Sequence, residues 1–477
     1  MSSFIKSSAW NVTGNVVIKL MSFIAIPFLS NYYIKGDIAI LRSVQALIAL
    51  LFAVIPMGTN FLYISEETNH RDRYWNLLII TSGVVSVIIF GILFFTGEKY
   101  FADVPFRKIF FSGILLFELI KAILSVKLIS EIKFKYISIA LVSKQLVFNI
   151  LIVVFCIIKP TLNMLIIILL FAELVEICVL LRYSDNKLHL IIKPFIQNIN
   201  FDKKARKYVF LSGGEALLVN LAIQIPNIAV LSIMGDLAVE FQLPLVLVAV
   251  PSSLIMRQVS HVITPYISNN RDDETIHKVF KYTHYIFAVL GLPLFWGIAF
   301  FAQEISGLMF NPEWKSAYIA LQFFPIFMFV NMFQNPMSSM ALIKNRPVIG
   351  FVYSLGLLTL RLAALKIGYS LYGFYGAVVM FTAFDSIWRS IRLIVDLKLV
   401  NIRISVFIKN LSLPLIYNSL AAILCLLLLN LGCSKEISYL ISISLFGYLF
   451  IKRDLERIKH NYLKIRNGLR NDDPNHS

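Results

Sequence analysis

Apolar runs of about 20 residues recur from one end of this chain to the other, and that is the length a helix needs to cross the hydrocarbon core of a bilayer. In lipid each backbone amide must be satisfied within its own segment, so such runs can only be helices. The composition agrees. Of the 477 residues 58% are hydrophobic and the mean hydropathy is +0.77, too apolar for a water-covered surface. The sequence predicts an all-α polytopic membrane protein.

Hydropathy gives about fourteen spans: 10–33, 39–63, 75–97, 106–127, 136–158, 162–182, 208–233, 237–265, 282–303, 317–343, 347–367, 373–397, 410–430 and 437–451. The opening MSSFIKSSAWNVTGN has neither the short apolar core nor the small-residue cleavage site of a signal peptide, so it is expected to be retained. Prolines inside the spans, such as Pro56, Pro244, Pro251, Pro293, Pro325 and Pro336, are expected to bend their helices.

Basic residues set the orientation. With the N-terminus in the cytoplasm, the outer loops hold only Lys35, Lys99, Lys159, Lys315 and Lys435. The inner segments hold clusters such as Lys127, Lys133 and Lys135, and Lys203, Lys204, Arg206 and Lys207. Both termini are then cytoplasmic. The net charge of +17 falls between apolar runs, which points to the anionic inner leaflet and not to nucleic acid.

The chain repeats itself at half length. Gly14–Ala39 aligns without a gap to Gly213–Ala238: Gly14 meets Gly213, Pro27 meets Pro226, Gly36-Asp37 meets Gly235-Asp236 and Ala39 meets Ala238. Gly, Pro and Asp are sparse in this chain, so their coincidence implies an internal duplication. Both copies enter from the cytoplasm, which makes the repeat parallel. The expected layout is a six-helix lobe over 1–182, a basic cytoplasmic linker over 183–207, a second six-helix lobe over 208–400, two additional helices over 401–451 and a basic tail over 452–477. The lobes are expected to face a central cavity.

Polar residues within the spans mark that cavity. Lys19 shares a helix face with Asn11, Asn15 and Ser22; Arg257 shares one with Ser253, His261 and Thr264. Asn331, Gln334, Asn335 and Ser338 form an uncharged stripe, and Asn220, Gln224 and Asn227 another. A charge at mid-bilayer costs about 2.5–3.5 kcal/mol on insertion scales and must face protein or water. Glu118 with Lys121, and Asp385 with Arg389 and Arg392, have partners on their own helix. Arg42, Arg107, Lys108 and Lys366 lie near expected span ends, where snorkelling accounts for them. Lys19, Arg257 and Arg361 have no acid within four positions and are the candidate substrate-binding cations, suited to a phosphate-bearing ligand. The alternative is that they pair across helices with Glu118, Glu173, Glu176, Glu215 or Asp385.

No catalytic residue is assigned. The chain has no phosphate loop, no HExxH and no metal-ligand spacing, and its seven histidines are scattered. The four cysteines form no CxxC pair and read as small core residues. The outer loops are too short to house soluble chemistry.

The stretch KSSAWNVTGNVVIKLMSFIAIPFLSNYYIKGDIAI resembles the first span and following loop of bacterial polysaccharide-unit flippases, the O-antigen (Wzx-type) branch of the multidrug/oligosaccharidyl-lipid/polysaccharide exporter superfamily. The likeness extends over the whole chain in length, span count and two-half layout. It implies two lobes around a cavity, two further spans, and alternating-access transfer of an undecaprenyl-pyrophosphate-linked oligosaccharide across the bacterial inner membrane. It also implies basic cavity residues, for which Lys19, Arg257 and Arg361 are candidates by position. Membrane lipids, a polysaccharide polymerase and chain-length proteins are the partners it suggests. No cofactor is implied; coupling to H+ or Na+ stays unassigned. Drug-exporting relatives often carry an aspartate in the first span, where this chain has Lys19 and no acid. Rival readings are export of a teichoic-acid or peptidoglycan lipid precursor, drug/cation antiport, and a membrane glycan polymerase or sugar transferase.

Overall fold

The computed structural model describes residues 2–56, 59, 71–100, 107–131, 133–184, 213–269, 273–337, 340–344 and 346–450, and among these there is no strand. The helices are α1 (Ser2–Tyr32), α2 (Lys35–Val54), α3 (Arg71–Tyr100), α4 (Arg107–Ser130), α5 (Phe134–Ile158), α6 (Leu162–Tyr183), α7 (Gly213–Met234), α8 (Ala238–Asn269), α9 (Asp273–Phe300), the short α10 (Ala302–Met309), α11 (Ala317–Gln334), the single turn α12 (Met340–Ile343), α13 (Pro347–Leu399), α14 (Ile404–Asn430) and α15 (Lys435–Phe450). Among the described residues nine helical runs are long and apolar enough to cross a membrane, and shorter apolar stretches lie at Val16–Tyr32 and Trp75–Gly91. Each range expected from hydropathy centres on one of these helices or on one arm of α13; 317–343 also takes in the single turn α12, and 282–303 runs into α10. From residue 185 the expected linker lies outside the described residues, as does the tail.

At 53 residues α13 is about twice the length of a span. Tyr372 (φ −136°) and Gly373 (φ 58°) leave helical geometry, and there the chain doubles back. Arg361 meets Asp385, Tyr353 stacks on Trp388 and Gly368 lies against Gly376, so numbers rise along one arm as they fall along the other. The arms are antiparallel. A Cβ on Gly368 would stand 2.5 Å from the Gly376 carbonyl oxygen, so glycine is what lets the arms close. Gly373 supplies the left-handed backbone of the turn.

The packing repeats with the sequence. In the first group α1 packs on α5, α2 and α3 on α4, and α4 on α6. In the second, α7 packs on the first arm of α13, α8 and α9 on α11, and α11 on the second arm. Each later pair is the counterpart, six helices on, of an earlier one. Across the seam α2 packs on α7 and α1 on α8, which are also each other's counterparts. Ser43 Oγ and Gln242 Nε2 lie 3.4 Å apart, and these positions differ by 199, the offset of the repeat. Seven residues earlier, a Cβ on Gly36 would stand 3.0 Å from Asp236 Oδ1, next to its counterpart Gly235. Counterpart residues touch only near a two-fold axis. The contact of Ser43 with Gln242, with the reciprocal packing of α2 on α7 and of α1 on α8, places that axis beside α2 and α8, as a parallel repeat requires.

The seam is tied where α1 turns into α2. Lys35 Nζ pairs with Glu240 Oε1 at 2.6 Å, Glu240 Oε2 accepts from Ser316 N at 2.7 Å, and Ser30 Oγ donates to the Met309 carbonyl at 3.0 Å. The last two helices attach through α9 and α10: the Tyr439 hydroxyl donates to the Pro293 carbonyl of α9 at 2.9 Å, and Lys435 pairs with Glu304 of α10 at 2.7 Å. Cys156 and Cys425 are buried as expected of core residues, but Cys178 is exposed on α6, a span whose apolar surface faces lipid.

Candidate functional site

Two cavities meet at the seam. One, of about 530 Å³, is walled by α7, α8, α11 and both arms of α13; the other, of about 590 Å³, by α4, α5 and α6. Helices α1 and α2 supply the wall they share, with Lys19, Arg42 and Gln45 lining both. Each volume falls within the roughly 300–1,000 Å³ usual for small-molecule sites.

The first cavity carries a guanidinium cluster. Arg361 Nε donates to Asp385 Oδ1 at 2.6 Å and its Nη1 to the Ala222 carbonyl at 2.7 Å. Arg389 Nε donates to Asp385 Oδ2 at 2.6 Å and its Nη1 to Asn331 Oδ1 at 2.6 Å. Arg392 Nε donates to Asp396 Oδ2 at 2.9 Å, and its guanidinium lies 5.2 Å from the centre of the Tyr353 ring. All five charged groups are buried. Three cations face two anions, so the cluster has one positive charge in excess when all are ionised.

The second cavity carries the opposite excess. Lys121 Nζ lies 2.5 Å from Glu118 Oε1, 2.5 Å from Glu173 Oε2 and 3.3 Å from Glu176 Oε2. Lys144 Nζ lies 2.6 Å from Glu173 Oε1 and 3.0 Å from Glu176 Oε2. Helices α4, α5 and α6 thus pool three carboxylates and two ammonium groups; Glu118 pairs with Lys121 on its own helix, and the other pairs run between helices.

Between the clusters stands Arg42. Its Nη1 donates to Gln45 Oε1 at 3.1 Å, its Nε is buried without a hydrogen-bond partner, and no described carboxylate lies within ion-pairing distance. The expectation that Arg42 snorkels from a span end is therefore corrected. Helix α2 begins at Lys35, four residues before the expected span, which puts Arg42 two turns inside it and facing the cavities. Arg42 also satisfies the test applied to Lys19, since no acid lies within four positions of it; the assumed boundary hid it.

The other candidates fall as follows. Lys19 lines both cavities, Ser22 the second, and Gln224, Asn331, Gln334, Asn335 and Arg361 the first. For Arg361 the alternative reading, a pair across helices, is the one observed: the hairpin of α13 brings Asp385 to it from 24 residues away, beyond any search along one helix. Glu173 and Glu176, named among the possible cross-helix acids, sit together on α6 and pair with Lys144 of α5 and Lys121 of α4, a grouping that spacing along one helix does not show. Arg257 and His261 lie on α8, and Asn11 and Asn15 on α1, with side chains outside the described residues.

Helix groups related by a pseudo-two-fold and facing across charged cavities, with apolar surface outside, define a membrane transporter fold. The chain is similar over 92% of its length to 97% of the lipid II flippase MurJ in an inward-closed conformation, with TM-score 0.67 and 14% identity. It is similar over 83% of its length to 94% of an inward-facing multidrug resistance MATE family transporter of the MOP superfamily, with TM-score 0.62 and 13% identity. A mutant form of the Vibrio cholerae MATE transporter VcmN gives 0.55 and 14% identity, over 84% of this chain and 98% of that one. At these identities the likeness is one of fold. No curated protein matches the chain. Residues 44–319, more than half of the chain, match the family described as Polysaccharide biosynthesis protein, and the protein belongs to that family.

Proposed function

We propose that this protein is a flippase that moves an undecaprenyl-pyrophosphate-linked oligosaccharide, an O-antigen or related surface-polysaccharide unit, across the bacterial inner membrane. Transfer runs from the cytoplasmic to the outer leaflet by alternating access of the two helix groups, with both termini in the cytoplasm. A polysaccharide polymerase and chain-length proteins are the partners that would take up the product. The family supports a role in polysaccharide biosynthesis. The fold resembles that of a protein described as a lipid II flippase, which acts on a lipid-linked substrate.

The observation that carries the reading is Arg42, a cation in the wall of both cavities with no carboxylate among the described residues within ion-pairing distance. A diphosphate entering the membrane has the mirror-image problem. Each lowers the other's desolvation cost, and a charged hydrogen bond contributes about 1.5–3 kcal/mol, enough to guide and weak enough to release. A cation-lined seam opposes export of a cationic drug. The test is translocation in proteoliposomes with defined lipid-linked donors. The glycan-bearing diphosphate lipid is expected to reach the opposite leaflet faster than in protein-free vesicles; rates equal to the protein-free control contradict the proposal.

A further inference from the structure

The cavity among α4, α5 and α6 holds polar atoms that the protein leaves without partners. Asn149 is 6% exposed; its Oδ1 accepts from Gln145 Nε2 at 3.2 Å, while its Nδ2 makes no hydrogen bond. Glu118 is 0% exposed; its Oε1 is ion-paired with Lys121 Nζ at 2.5 Å, while its Oε2 accepts no hydrogen bond. Arg42 Nε opens on the same space, also without a partner. Buried polar groups are nearly always hydrogen-bonded, so unmet donors and acceptors that converge on one cavity describe a ligand.

The mixture decides which ligand. A diphosphate offers acceptors only, and among the α4–α6 cluster it would meet three carboxylates, Glu118, Glu173 and Glu176, against two ammonium groups; the further cations, Lys19 and Arg42, stand in the wall shared with the first cavity. A sugar hydroxyl can donate to the Glu118 carboxylate and accept from the Asn149 amide, and an acetamido group offers the same pair of roles. Phe52 and Phe148 line the cavity as well and give the C–H face of a sugar ring an apolar surface. We infer that this cavity is the glycan subsite. It takes neutral, hydroxyl- or acetamido-bearing sugars and disfavours those with carboxylates, while the diphosphate sits at Arg42, where the cavities meet. This inference rests on the flippase reading above.

The experiment measures binding to the full-length purified protein of two probes: undecaprenyl diphosphate alone, and the lipid-linked oligosaccharide extracted from the producing cells. Asn149→Leu is expected to weaken binding of the glycan-bearing lipid about tenfold, the equivalent of one hydrogen bond, and to leave undecaprenyl diphosphate unchanged. Asn149→Ser, which keeps a hydroxyl, should fall between, and Gln145→Leu carries the same comparison if Asn149→Leu does not fold. Arg42→Gln should weaken both probes alike. Equal effects of Asn149→Leu on the two probes, or none on either, overturn the subsite while leaving the flippase reading intact. A wild-type protein that binds neither probe contradicts the flippase reading itself.

Discussion

Asp385 compensates two guanidinium groups at once, Arg361 from the opposite arm of α13 and Arg389 from its own. Removing the carboxylate strands both cations in a buried site, and a broken buried pair destabilises by about 3–5 kcal/mol. Asp385→Asn is isosteric, so a lower melting temperature in detergent would report charge and not shape. A variant that melts with the wild type would show that water already compensates the cluster. The same residues mark the limit of reading along one helix. A window of four positions finds Asp385 with Arg389 but misses Asp385 with Arg361, since only the turn at Gly373 brings those together. It would have found Arg42 had the span been started at Lys35.

Among elements, hydropathy located the helices well because the bilayer leaves helix as the only answer for a long apolar run. It separated the two arms of α13, which follow one another with only Tyr372 and Gly373 outside helical φ/ψ. Span ends were less legible, since capping and loop geometry carry little apolar signal. The hairpin itself depends on Gly368 meeting Gly376 without side chains. Gly368→Ala should therefore destabilise the protein by about 1–3 kcal/mol, the usual effect of overpacking. Gly307→Ala on α10, where a Cβ meets nothing within 4 Å, is the control and should leave melting unchanged. Equal melting of the two variants would mean that the arms separate at no cost.

At the scale of the whole molecule, the duplication was legible in a few Gly, Pro and Asp matches, because turns tolerate few alternatives. The structure extends it to the packing of six helices on six, and to counterpart residues that touch at Ser43 and Gln242. The site was less legible because it breaks that symmetry. Where the first half has Arg42 the second has Phe241, a fully buried ring packed against Phe324 and Phe381. One half thus keeps a core residue where the other keeps an uncompensated cation, and a pattern sought twice in the sequence would not reveal it. The measurement that tests the account most directly is translocation of a lipid-linked diphosphate oligosaccharide by Arg42 variants, in proteoliposomes matched for protein content. Arg42→Gln should slow transfer about tenfold or more, in line with a lost charged hydrogen bond. Arg42→Lys should keep part of the rate, since the charge survives without the planar fork. Arg42→Glu should be slower than Arg42→Gln, because it adds repulsion to the loss. Equal rates for the Glu and Gln variants, or a Glu variant as fast as the wild type, would contradict the claim that Arg42 guides an anionic substrate across.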